Sequence, residues 1–101
     1  MEEKFCVRYR LYRKGKKIFD RCYEEGLEIR KAERIVMIAV PTCSGRCFST
    51  RYGGTVREGA WRKNLNGSVV FVYIATNNGE VSDNVKECFQ IACEASRNKI
   101  G

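Results

Sequence analysis

The residues with the clearest capacity for chemistry are two cysteines, Cys43 and Cys47, which bracket Ser44, Gly45 and Arg46. Two thiols across a glycine-containing loop, beside a cation that favours the thiolate, can act as a redox pair. The spacing is one residue longer than the thioredoxin-type motif, and no βαβ pattern surrounds it. A structural disulfide, within the loop or to another cysteine, is therefore the preferred reading. A zinc site built from Cys43, Cys47, Cys88 and Cys93 is weaker. Its last two ligands are five residues apart on a predicted helix and out of phase, and Cys88 falls on that helix's apolar stripe, where a thiol serves as a small core hydrophobe. The chain contains no histidine. That removes Ser-His and Cys-His nucleophile pairs, histidine bases and mixed Cys/His zinc sites. The glycines match neither a phosphate loop nor a dinucleotide fingerprint. The expectation is a non-enzymatic protein with no metal or cofactor.

The other chemistry is cationic. Nineteen Lys and Arg against twelve Asp and Glu give a net charge of +7 over 101 residues. Residues 35–76 carry five basic side chains against Glu58 alone, whereas residues 77–101 are close to neutral. A basic surface of this kind points to an anionic partner, nucleic acid above all. The expected contacts are Arg8 and Arg10 on the sheet and Arg46, Arg51 and Arg57 in the central segment. No base-reading motif is present, so such binding would address phosphates and be indifferent to sequence. The alternative is a protein-interaction or inhibitor module acting through an edge strand or a charged sheet face, which could also pair two copies of the chain. A charged surface that serves solubility alone is the plainest option.

These residues need a scaffold, and the pattern is that of a single α+β domain over residues 1–101. It predicts a mainly antiparallel sheet of about five strands, beginning with a three-strand meander, with a C-terminal helix packed on one face. Residues 4–34 carry the meander. Arg13-Lys14-Gly15 and Glu24-Glu25-Gly26 read as three-residue turns ending in glycine, which adopts positive φ without strain. Around the first turn this sets Cys6 opposite Cys22, making a second disulfide candidate, and Arg8 opposite Asp20. Around the second, Asp20 also meets Arg30. Phe5, Val7, Tyr9 and Leu11 then share one face, and Cys6, Arg8 and Arg10 the other. Residues 27–36 are rich in helix formers, but the turn logic favours a third strand there.

Ile35 to Val40 is β-branched and apolar and reads as a buried strand ended by Pro41. Strands are also expected at 47–52, 55–62 and 69–75. The last is unbroken in its apolar character and so central. Ser82 or Asp83 caps a helix to about Asn98, with Val85, Cys88, Phe89, Ala92 and Ser96 as its buried stripe. This helix is expected to cover the apolar face of the sheet.

No window is long and apolar enough to span a membrane. Met1 to Lys4 leads straight into the first strand without the features of a signal peptide, so the expected location is intracellular. Six cysteines in that setting fit a hyperthermophile protein, and a small basic cysteine-rich chain is also the style of viral proteins from hot hosts. The pairs Asn66-Gly67 and Asn78-Gly79 weigh against high temperature.

Overall fold

The strand at residues 69–75 has no polar side because neither of its faces meets water. In the computed structural model, which describes residues 3–97, it is the middle strand of a five-stranded antiparallel sheet. The elements run β1 (Phe5–Arg13), β2 (Lys16–Leu27), α1 (Ile29–Ala39), β3 (Gly45–Ser49), β4 (Val56–Lys63), β5 (Val69–Thr76) and α2 (Asp83–Ala95). The sheet order is β2-β1-β5-β4-β3. Alternation along β5 sends Val72 and Ile74 into a core under α1, and Val69, Phe71, Tyr73 and Ala75 into a second core under α2. The fold is thus α+β with an antiparallel sheet and a packed C-terminal helix, as the sequence predicts, and a second helix occupies the opposite face.

That second helix replaces the third strand of the meander and the apolar strand expected over 35–40. Ala32 and Val36, four apart and fully buried, give α1 its core-facing stripe, with Ile29 and Ile35 beside it. Tertiary geometry decides the matter. β2 and β3 are opposite edges of the sheet, so the connection must pass over a whole face, about 19 Å at normal strand spacing. A helix does this with its backbone bonds satisfied internally: α1 lies along the face over β4 and β5, with Arg30 donating to the Thr55 carbonyl at 3.0 Å and Glu33 accepting from the Arg57 N–H at 2.8 Å near the start of β4.

Glu24-Glu25-Gly26 is accordingly not a turn. Gly26 does have positive φ (73°), but it lies within β2, near the register shifts between Phe5 and Arg8 of the facing strand. The first turn forms as a tighter unit than expected. Lys14 (φ 53°) and Gly15 (φ 77°) make a two-residue turn closed by the pair Arg13 and Lys16, the conformation that matches strand twist in short hairpins. A register shift between Leu11 and Tyr12 then places Arg10 opposite Asp20 and Arg8 opposite Cys22. The slip from the expected register is two residues, so the faces survive while the partners change.

This slip removes the Cys6–Cys22 disulfide. Cys6 is buried and donates its S–H to the Thr76 carbonyl at 3.3 Å, Cys22 is exposed, and all six cysteines are free thiols. The Cys43–Cys47 disulfide is absent for a different reason. Cys43 packs against the core beneath α1 and Cys47 lies in the core beneath α2.

α2 carries the expected stripe, with Val85, Cys88, Ala92 and Ser96 buried and Phe89 half-buried, and Ser82 caps it by accepting from the Val85 N–H at 3.2 Å. Its place differs from expectation. The face of β1 bearing Phe5 and Val7 belongs to α1, and α2 covers the face bearing Cys6 and Tyr12.

Two substitutions check this arrangement. Phe71→Ala, at the centre of the α2 core, is expected to cost about 3–5 kcal/mol in denaturant unfolding. Gly15→Val should cost more than about 1 kcal/mol because it forces a β-branched residue to positive φ. Its Cβ would also sit 2.8 Å from the Arg97 side chain. An unchanged Tm in Gly15→Val would refute the turn geometry.

Candidate nucleic-acid interface

The five arginines singled out from the sequence do not form one patch. Arg8 and Arg10 lie on β1, Arg46 on β3, Arg57 on β4 and Arg51 in the loop after β3. β5 stands between the first pair and the other three.

Arg8 and Arg10 are held by a carboxylate. Asp20 on β2 accepts from Arg8 Nε through Oδ1 and from Arg10 Nε through Oδ2, both at 2.8 Å. The Tyr73 hydroxyl donates a short hydrogen bond to the same Oδ2. Arg10 also donates to the Tyr12 hydroxyl at 2.9 Å and stacks on Phe89, its guanidinium carbon 3.6 Å from the ring centre. Burial alone would push the Asp20 carboxyl up; the bonds from Tyr73, Arg10 and Arg8 outweigh it and hold the group below the usual carboxylate range. Burial raises the Tyr73 hydroxyl, and the bond to Asp20 adds to the rise. The ion pair expected between Asp20 and Arg8 is present. The one expected with Arg30 is replaced by Arg10, because Arg30 belongs to α1, where it pairs with Glu33 at 3.0 Å.

The central arginines are less constrained. Arg46 is exposed and its Nε donates to Cys43 Sγ at 2.9 Å. Arg51 is exposed beside Tyr52, and half-buried Arg57 lies over Phe48. Arg57 Nε is, among the described residues, the buried side-chain polar atom left without a hydrogen-bond partner. Glu58, the lone acid of this segment, is buried and lies inside the fold. It accepts from Ser82 Oγ at 2.7 Å and from the Tyr52 hydroxyl at 3.1 Å. Burial and this carboxylate push the Tyr52 hydroxyl up to about 12. No carboxylate between residues 35 and 76 therefore offsets Arg46 and Arg51 at the surface.

A second cationic cluster stands at the β1–β2 turn. Arg13, Lys14, Lys16 and Lys17 are all exposed, and none makes an ion pair among the described residues. The turn is braced. The Gly15 N–H donates to Ser96 Oγ at 2.9 Å, Cys93 S–H donates to the Gly15 carbonyl at 3.1 Å, and the Arg97 side chain packs against the same glycine. The signal was present in the sequence as four cations in five residues around a glycine. A whole-segment charge count conceals it, because residues 1–34, with eleven basic and seven acidic side chains, give the same +4 as residues 35–76.

Among the described residues no three Cys, Asp or Glu side chains gather as metal ligands. The zinc alternative fails in its geometry: Cys93 is bonded to the hairpin turn and Cys43 lies on the other face from Cys47 and Cys88. Cys47 and Cys88 do meet. The interaction between them, with burial adding to it, raises the Cys47 thiol, and the same interaction lowers that of Cys88. No helix among the described residues is long and apolar enough to cross a membrane. No protein-family model matches the chain, and no match is found among curated proteins or solved structures.

The Asp20 clamp predicts a pH dependence. A carboxyl whose folded-state value is depressed contributes stability that is complete above its unfolded value, about 4, and is lost as pH falls through the folded one. Asp20→Asn should destabilise the protein at pH 7 by about 1–3 kcal/mol and by much less near pH 2. Parallel pH profiles for Asp20→Asn and wild type would show that the clamp contributes nothing.

Proposed function

We propose that this chain is a non-enzymatic nucleic-acid-binding protein that grips phosphates without reading sequence. The observation that carries the reading is the β1–β2 turn, where four exposed cations crowd a two-residue turn braced against α2. A braced turn holds its cations without the ordering cost a mobile loop would incur. The turn also docks at the C-terminal end of α2, where the helix dipole favours positive charge. Arg46 and Arg51 form a second contact region on the β3 side, reached by a long or bent ligand. Arg8 and Arg10 take a lesser part, because Asp20 already occupies their guanidinium groups.

A protein partner is the second reading. The observation that favours it is an apolar groove of about 610 Å³ beside α1, lined by Tyr9, Tyr23, Ile35 and Ile38 among others.

Fluorescence anisotropy with labelled single-stranded RNA, single-stranded DNA and duplex DNA across a salt series tests the proposal. Each lost phosphate contact lowers the slope of log K against log salt by about 0.9 for duplex and about 0.7 for single strands. The triple substitution Lys14→Ala, Lys16→Ala, Lys17→Ala should remove two to three such contacts, and Arg46→Ala with Arg51→Ala fewer. If wild type binds none of the three at low salt, the function is wrong. If only the β3-side variant loses slope, the function stands and the site moves to that edge.

A further inference from the structure

Each helix covers only part of its face. Five strands span about 24 Å and a helix is about 10–12 Å across, so one face of this sheet accommodates two helices side by side. α1 takes one berth: its Ala32 and Val36 share a core with Val56 and Ala60 of β4 and Val72 and Ile74 of β5. Phe5 and Val7 of β1 and Leu27 of β2 join that core, but the ground beside the C-terminal half of α1, over the Tyr9 end of β1 and the adjoining part of β2, is open. It is a groove of about 610 Å³ lined by Tyr9, Tyr23, Val70 and Val72 from the sheet and Ile35 and Ile38 from the helix. Tyr23 is 65% exposed and Ile38 71% exposed, large values for apolar side chains that face each other across a slot.

The opposite face of the same strands has no helix berth to fill. There the Asp20 clamp with Arg8, Arg10 and Tyr73 makes a polar surface. The groove side has no such network.

Charge around the groove selects the occupant. Directly opposed residues on neighbouring strands share a face. Arg21 is opposite Tyr9 and Arg62 is opposite Val70, which places both arginines at the groove's sheet side. On α1, Lys31 and Arg34 stand one turn before Ile35 and Ile38, on the same side of the helix. None of these four makes an ion pair among the described residues. Glu24, opposite Val7, is the acidic exception. A second copy would bring a second cationic rim against the first, so like charges oppose self-association through this groove. An aliphatic lining without hydrogen-bonding groups other than two tyrosines offers little to a nucleic acid.

We propose that this groove docks an acidic amphipathic helix of a partner protein, its apolar stripe seated on Tyr9, Tyr23, Ile35 and Ile38 and its carboxylates meeting Arg21, Arg62, Lys31 and Arg34. This helix-in-groove mode needs anchors at i, i+3, i+4 and i+7. The inference is independent of nucleic-acid binding, which uses the hairpin turn.

The test uses the full chain and two labelled synthetic 18-residue helices that share a leucine stripe at that spacing. One has glutamates on its polar face and the other lysines. Anisotropy titrations should give a Kd for the glutamate helix at least tenfold tighter than for the lysine helix. Arg21→Glu with Arg62→Glu should abolish or invert that preference. Ile38→Asp, at an exposed position, should weaken binding at least tenfold while leaving Tm and nucleic-acid affinity unchanged. Equal binding of both helices would overturn the charge argument and with it the proposed partner. Binding of neither, or a concentration-dependent dimer in sedimentation that Ile38→Asp dissolves, would overturn the proposal outright, the dimer assigning the groove to a second copy.

Discussion

The constraint on which the rest of the structure depends is that β5 has no solvent face. Its alternate side chains are apolar in both directions, with Val69, Phe71, Val72, Tyr73, Ile74 and Ala75 all buried. A strand of this kind is stable only under cover on both sides, because roughly 25 cal/mol is at stake for every Å² of apolar surface removed from water. Two helices of eleven and thirteen residues supply the cover, one on each face. Both rest chiefly on the β5–β4–β3 half and reach only part of β1, so β2 and the outer part of β1 are the least covered. On the α2 side these strands close themselves with ionic and aromatic contacts around Asp20. On the α1 side they present tyrosines and a groove.

Glu58 shows how the second helix is fixed in place. A carboxylate buried in β4 would be strongly unfavourable alone. Here it receives the hydroxyls of Ser82 and Tyr52, and Ser82 in turn caps α2. A negative charge one hydrogen bond removed from a helix N-terminus is favourably placed in the helix field. The network joins β4, the loop before it and α2 through a single side chain. It also withdraws from the surface the one acid that would offset the arginines of the central segment.

The cationic surface is therefore distributed by the packing. Where an acid has a structural task, as Asp20 does, neighbouring arginines are consumed by it. Where the acid is buried, as Glu58 is, the arginines stay available. The hairpin turn is the limiting case, its four cations in no ion pair among the described residues and its backbone held by Ser96 and Cys93.

Much of this was legible in the chain itself. The strands at β4 and β5, the α2 stripe, the two-faced alternation of β1 and the positive φ of Gly15 and Gly26 are local consequences of residue type, and local physics settles them. The helix at Ile29–Ala39 was not, since the turn logic outweighs the helix formers of residues 27–36 and the β-branched run Ile35 to Val40 reads as a strand. What decided it was the need to cross from one sheet edge to the other. Register was not either. Whether a turn holds two or three residues, and where a strand takes an extra one, depends on contacts such as Gly15 with Ser96, eighty-one positions away. Composition established that arginines outnumber acids. Only the tertiary structure decided which of them meet a carboxylate, because Asp20, Tyr73 and the two arginines of β1 come together through strand pairing that no spacing along the chain expresses.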